Sequence, residues 1–142
     1  MSQKTPRQSW MATLARASRA EIESLLGDPP AHEILKAPET GTVMVEGRAG
    51  GAGRRFNLGE ATVTRCVVRL STGRMGFSYA LGRDGRKARL AALLDARLQD
   101  EAEGGLHDGV AALAAQQALA RDLASRKAAA TKVDFFTLVR GS

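Results

Sequence analysis

Residues 56–70, FNLGEATVTRCVVRL, set the condition that any fold of this chain must meet. The run is β-prone, and a period of two divides it into two faces. Thr62, Thr64, Cys66, Val68 and Leu70 share one; Val63, Arg65, Val67 and Arg69 share the other. A guanidinium is costly to strip of water unless an anion or a carboxylate meets it. A strand face carrying two arginines inside an apolar segment therefore asks for a partner: a phosphate, a second protein chain, or an acid of the same chain. At about 3.3 Å per residue, Arg65 and Arg69 stand about 13 Å apart. That is too far to grip one phosphate together, and it suits two ends of a triphosphate, two carboxylates, or two salt bridges. The tail RKAAATKVDFFTLVR, residues 126–140, has a similar mixture of apolar and basic side chains.

With 142 residues the chain has room for one domain, 1–142, and one core. Lysine and arginine outnumber aspartate and glutamate by 21 to 15, a formal net charge of +6. That balance favours anionic ligands or partners but is modest for a dedicated nucleic-acid binder. A single cysteine excludes an internal disulfide and a cysteine-based metal cluster. No stretch reaches the roughly 20 apolar residues of a membrane span, and MSQKTPRQSWM lacks the apolar core of a signal peptide. The expected setting is the cytoplasm, with no membrane contact.

Along the chain, Thr5 to Leu26 reads as a first helix, capped by Thr5, with Pro6 at its first position and Gln8 completing a capping box. Gly27 and Pro29-Pro30 end it. Ala31 to Lys36 reads as a further short helical turn, stopped before Pro38. Thr42 to Arg48 predicts a strand leading into a glycine-rich loop, Ala49 to Arg55. Glu60 to Leu70 and Met75 to Leu81 predict a hairpin around Ser71-Thr72-Gly73. Asp84 can cap a helix running to about Leu98, with Leu90, Leu93, Leu94 and Leu98 inward. After Gly104-Gly105, half of residues 111–130 are alanine, which predicts a long helix over Leu106–Ala130. Val133 to Arg140 predicts a closing strand, apolar on both faces and so buried in the domain or in an assembly. The fold class is α+β: a small, mainly antiparallel sheet with an N-terminal helix, two C-terminal helices and a closing C-terminal strand.

The loop GRAGGAGRR, with Arg48, Arg54 and Arg55, invites a phosphate reading, because glycines let backbone N–H groups approach an anion. It lacks the Lys-Ser/Thr of a P-loop and the spacing of a dinucleotide-binding turn, so a hairpin loop or a docking loop for another subunit stands beside that reading. Arg83, Arg86 and Lys87 surround a helix start where anions are favoured, but Asp84 as cap competes for the same N–H groups. Cys66 alternates with Thr64 and Val68 as a buried strand cysteine does. His32 and His107 each lack a metal-ligand partner at helical spacing, which points to no metal site. Glu60 and Asp134 are candidate acid–base groups or arginine partners. No nucleophile–base set or cofactor box is visible. A basic nucleic-acid-binding accessory domain is the alternative function; the few aromatics and the absence of a recognised motif count against it.

The stretches APETGTVMVEGRAGGAGRRFNLGEATVTRCVVRL, GFSYALGRDGRKARLAALLDARLQD and RKAAATKVDFFTLVRGS, with the opening WMATLARA, resemble the G subunit of the bacterial carbon–phosphorus lyase system (PhnG). The resemblance runs in order from Trp10 to Gly141. The chain departs from the family's pattern at Lys87, where histidine is expected in many relatives, and no role of that histidine is carried over. The resemblance implies a place in the use of organophosphonates as a phosphorus source. It implies an accessory role, with H, I and L companions, in displacing adenine from ATP by a phosphonate to give a ribose 1-phosphonate 5-triphosphate. In it the I subunit carries the nucleosidase-like chemistry. It also implies a two-fold symmetric core of G, H, I and J subunits, in which J cleaves the C–P bond by radical S-adenosylmethionine chemistry. ATP is then a substrate of the assembly, and no cofactor is expected on this chain alone.

Overall fold

The computed structural model describes residues 5–48, 55–101 and 103–141, with the side chains of 45–58 and 130–141 outside that description. Four helices and three strands follow in the order α1 (Pro6–Arg16), α2 (Arg19–Leu26), β1 (His32–Arg48), β2 (Arg55–Leu70), β3 (Met75–Leu81), α3 (Gly85–Asp100) and α4 (Gly105–Gly141). The α+β class and the antiparallel sheet are those expected.

The N-terminal helical segment is two helices rather than one. Thr5 and Gln8 form the expected capping box on α1, but a second box, Ser18 with Glu21, opens α2 two residues after α1 ends. Each box satisfies two backbone N–H groups that a helix start otherwise leaves unpaired. Gly27, at a positive φ of 67°, ends α2 in a backbone conformation open to glycine.

The sheet order is β1-β2-β3, all antiparallel. Ala31–Lys36 is not a helical turn: β1 begins at His32, and His32 pairs with Leu70. Pro38 sits where the register slips between Lys36 and Glu39, on an edge strand that tolerates a missing N–H. The hairpin β2–β3 is as expected, with Met75 to Leu81 as its second strand. From Thr42↔Thr62 to Arg48↔Arg55, β1 and β2 continue as a two-stranded ribbon past Val63↔Leu81, the last β2–β3 pair on that side.

One face of β2 fits the sequence reading closely. Thr64, Cys66, Val68 and Leu70 are buried, and Leu90, Leu93, Leu94 and Leu98 of α3 pack into the same core with Leu14, Ile22 and Leu26. Thr64 is satisfied inside that core by donating its hydroxyl to the Gly82 carbonyl at 2.7 Å. Helix and sheet approach closely at Gly76, where a Cβ would stand 2.0 Å from the Ala92 carbonyl oxygen.

The closing strand is a correction. Residues 133–140 continue α4, which runs to Gly141. The alanine-rich turns before them have the highest helix propensity, and the β-prone residues that follow each cost well under about 1 kcal/mol in a helix. Ala118 to Ala129 are all exposed, so α4 leaves the body well before its end.

Candidate functional site

Two buried ionic groups are the most chemically loaded features of the interior, and both serve the architecture. The Asp95 side chain is 0% exposed. It accepts from Arg7 Nε at 3.2 Å and Nη2 at 2.8 Å, Trp10 Nε1 at 2.8 Å, the Phe77 backbone N–H at 2.9 Å and Gln99 Nε2 at 3.1 Å. One carboxylate thus joins α1, β3 and α3. The hydrogen bond that Arg7 donates to Asp95 raises the pKa of Arg7, and the same guanidinium lies over the Phe77 ring, 5.4 Å from its centroid. Sequence reasoning passed over Asp95, Arg7 and Gln99. The available signal was one acid set among the inward leucines and alanines of α3.

Lys87 is 8% exposed. Its ammonium donates to the Ala15 carbonyl at 3.1 Å, in the last turn of α1, and to the Leu81 carbonyl at 3.2 Å, at the end of β3. Burial lowers its pKa, against the attraction of Asp84 and Glu21. A cation at a helix C-terminus meets carbonyls that lack partners within the helix.

The expected arginines are distributed over distinct places. Arg65 and Arg69 are exposed on the outer face of β2, opposite the face of Thr64, Cys66 and Val68. Arg69 Nε donates to Glu33 of β1 at 2.7 Å, and Arg65 stands opposite Glu39 on β1 and Tyr79 on β3. Cross-strand partners share a face. Met75, Phe77, Tyr79 and Leu81 of β3 therefore complete an outer surface in which apolar groups and arginines alternate. Phe77, Tyr79 and Leu81 are 40%, 41% and 43% exposed.

Arg83 is exposed just before α3, and Arg86 bonds Glu23 through Nε at 3.1 Å. Asp84 caps α3 by accepting from the Lys87 N–H at 3.0 Å, the competition for the helix start noted above. Glu60 is exposed on the ribbon, opposite Met44. Arg48 and Arg55 pair across the end of the ribbon, and Asp134 lies on α4; their side chains, and Arg54 altogether, fall outside the described residues. The structure therefore brings Arg65 and Arg69 onto one surface and leaves Arg83 and Arg86 on another.

Cys66 is buried, with its thiol pKa raised by loss of water. His107 sits at a helix end, its Nε2 2.6 Å from the Glu101 carbonyl oxygen and 3.0 Å from that of Leu98. Among the described residues no cluster of His, Cys, Asp or Glu could hold a metal ion, and no helix is long and apolar enough to cross a membrane.

A family model described as "Phosphonate metabolism protein PhnG" matches residues 5–141. The chain is also similar to the alpha-D-ribose 1-methylphosphonate 5-triphosphate synthase subunit PhnG of Rhizobium meliloti (strain 1021). The two are 46% identical over 142 residues, covering 95% of this chain and 89% of that protein.

Proposed function

The chain belongs to the PhnG family of phosphonate metabolism proteins, and from that premise we propose that it is a subunit of a ribose 1-phosphonate 5-triphosphate synthase that helps the reaction without carrying it. Companion subunits H, I and L act with it as adenine is displaced from ATP by a phosphonate, and H, I and J join it in a cytoplasmic core. ATP is a substrate of that assembly, and this chain holds no cofactor of its own.

One observation carries the reading. The buried Asp95 and Lys87 are fully spent on holding helices to the sheet, whereas the outer sheet face leaves Phe77, Tyr79 and Leu81 about two-fifths exposed beside Arg65. Apolar groups interleaved with arginine are the composition of protein interfaces. The projecting ribbon and the exposed length of α4, with Leu119 and Leu123, extend the surface available to a companion.

The test is co-expression with the H, I and J companions followed by purification. The expected result is a stable complex in which this chain is stoichiometric, and no turnover of ATP and phosphonate by the chain alone. A monodisperse monomer that elutes apart from its companions would overturn the proposal.

A further inference from the structure

The charges on the outer sheet face do not balance. Glu33 stands opposite Arg69, Lys36 opposite Val67, and Glu39 opposite Arg65, so all of them share that face. Arg69 is met by Glu33, its Nε donating at 2.7 Å. Glu39 is drawn along its own strand to Lys36, at 3.7 Å. Both acids are thus engaged by other cations, and among the described residues Arg65 has no hydrogen bond or ion pair. Arg65 nevertheless stands in the most apolar part of the face. Val63 and Val67 flank it along β2, Tyr79 is its partner on β3, and Phe77 and Leu81 lie on the diagonals. Gly41, opposite Val63, puts no side chain into its place in the grid. A hollow of about 160 Å³ opens there, lined by Gly41, Val63, Glu39 and Arg65 among others.

We propose that the companion surface seated on this face carries a carboxylate, an Asp or Glu set among apolar side chains, that pairs with Arg65. The inference rests on the assembly proposed above and adds the chemistry of its partner. Any surface that covers Phe77, Tyr79 and Leu81 also strips water from the guanidinium between them, and a dehydrated guanidinium needs an anion. The acids of this chain on the face are already taken, so the partner supplies it. A carboxylate matches the planar fork of an arginine with two parallel hydrogen bonds, which fixes the register of docking as well as its strength. The hollow at Gly41 leaves room beside Arg65 for the side chain that brings it. One unpaired cation is too little for a nucleic-acid backbone, which is held through many phosphates at once.

The test co-expresses wild-type and variant full-length chains at matched levels with the H, I and J companions. Mass spectrometry of the purified complex reads the ratio in which the two chains are captured. Arg65→Gln and Arg65→Met should each be captured at least about tenfold less than wild type, because either leaves the companion's carboxylate covered and unmet. Arg65→Lys should recover part of that loss. Arg16→Gln, which removes an exposed arginine of α1, should be captured as well as wild type. Arg65 is exposed, so its variants keep the fold, which circular dichroism checks. Full capture of Arg65→Met would show that apolar contact alone covers the face. An equal loss with Arg16→Gln would show an effect of net charge only. Either result overturns the proposal. So does full capture of Arg65→Gln together with weaker ATP binding by the complex, which assigns Arg65 to a phosphate. Failure of the wild-type chain to join any complex defeats the assembly itself, whereas a normal complex indifferent to Arg65 defeats this inference alone.

Discussion

The backbone N–H of Phe77 donates to Asp95 Oδ2 at 2.9 Å, so the outer edge of β3 is occupied at that position by a carboxylate from the helix packed beneath the sheet. An unpaired edge is normally a template for adding another strand. Here the same carboxylate gathers Arg7 and Trp10 from α1, and edge protection and helix docking become one interaction.

Asp95→Ala should therefore lower stability by about 3–5 kcal/mol, because the Trp10, Phe77 and Gln99 donors gathered on this buried carboxylate lose their acceptor and Arg7 loses its anion. Urea denaturation measures it. A double cycle with Arg7→Ala should give a coupling above about 1 kcal/mol; additive losses would show that the pair does not act as a unit.

Lys87 gives a pH signature. Its pKa is lowered in the folded chain from an ordinary 10.5. Between those two values the unfolded chain holds the extra proton, so stability contributed at this position rises with pH through that window and levels off above 10.5. Lys87→Met should lose about 1–3 kcal/mol near neutrality, because the Ala15 and Leu81 carbonyls lose their donor. The gap between variant and wild type should widen as pH rises through the alkaline range. A gap that is constant with pH would show that Lys87 titrates as it does in the unfolded chain.

Gly76→Ala should destabilise the fold by at least about 1–3 kcal/mol, since its Cβ meets backbone, the Ala92 carbonyl, rather than a flexible side chain. Thermal melting of the variant checks this; a melting point equal to that of the wild type would mean that β3 and α3 separate without penalty.

Tyr79→Glu and Leu119→Glu separate surface from scaffold. Both sites are exposed, so each variant should stay within about 0.5 kcal/mol of wild-type stability. Both should reduce recovery of companion subunits in co-purification. Normal recovery with both would remove these positions from the interface.

Glu33→Ala, which breaks the exposed pair with Arg69, should cost less than about 1 kcal/mol and matter less still at high salt. Denaturation at two ionic strengths measures it.

The elements that the sequence specifies locally are the ones it discloses. The Thr5–Gln8 capping box, the Asp84 cap, the β2–β3 turn and the inward leucines of α3 all rest on contacts within a few residues. The Ser18–Glu21 box was equally legible, and it divides what looked like one helix. The misread pieces depend on distant neighbours. Pro38 resembles a helix stop until β1 is known to be an edge strand with a slipped register. Residues 133–140 have the composition of a strand but follow a helix that simply continues. The faces of Arg65 and Arg69 followed from alternation, whereas the acid beside Arg69 came from 36 residues earlier. Asp95 was hidden most deeply: its partner Trp10 lies 85 residues away, and no local pattern joins them.

The 37 residues of α4 rise about 55 Å at about 1.5 Å each. Because Ala118 to Ala129 lie outside the packed body, that stretch works as a ruler. Inserting one residue there would leave the core untouched while moving the far tip outward by about 1.5 Å and turning it by about 100°. Seven residues, close to two full turns, would lengthen the reach and nearly restore the heading. Length and bearing at the distal end are thus set by a count of residues, independently of everything that makes the body stable.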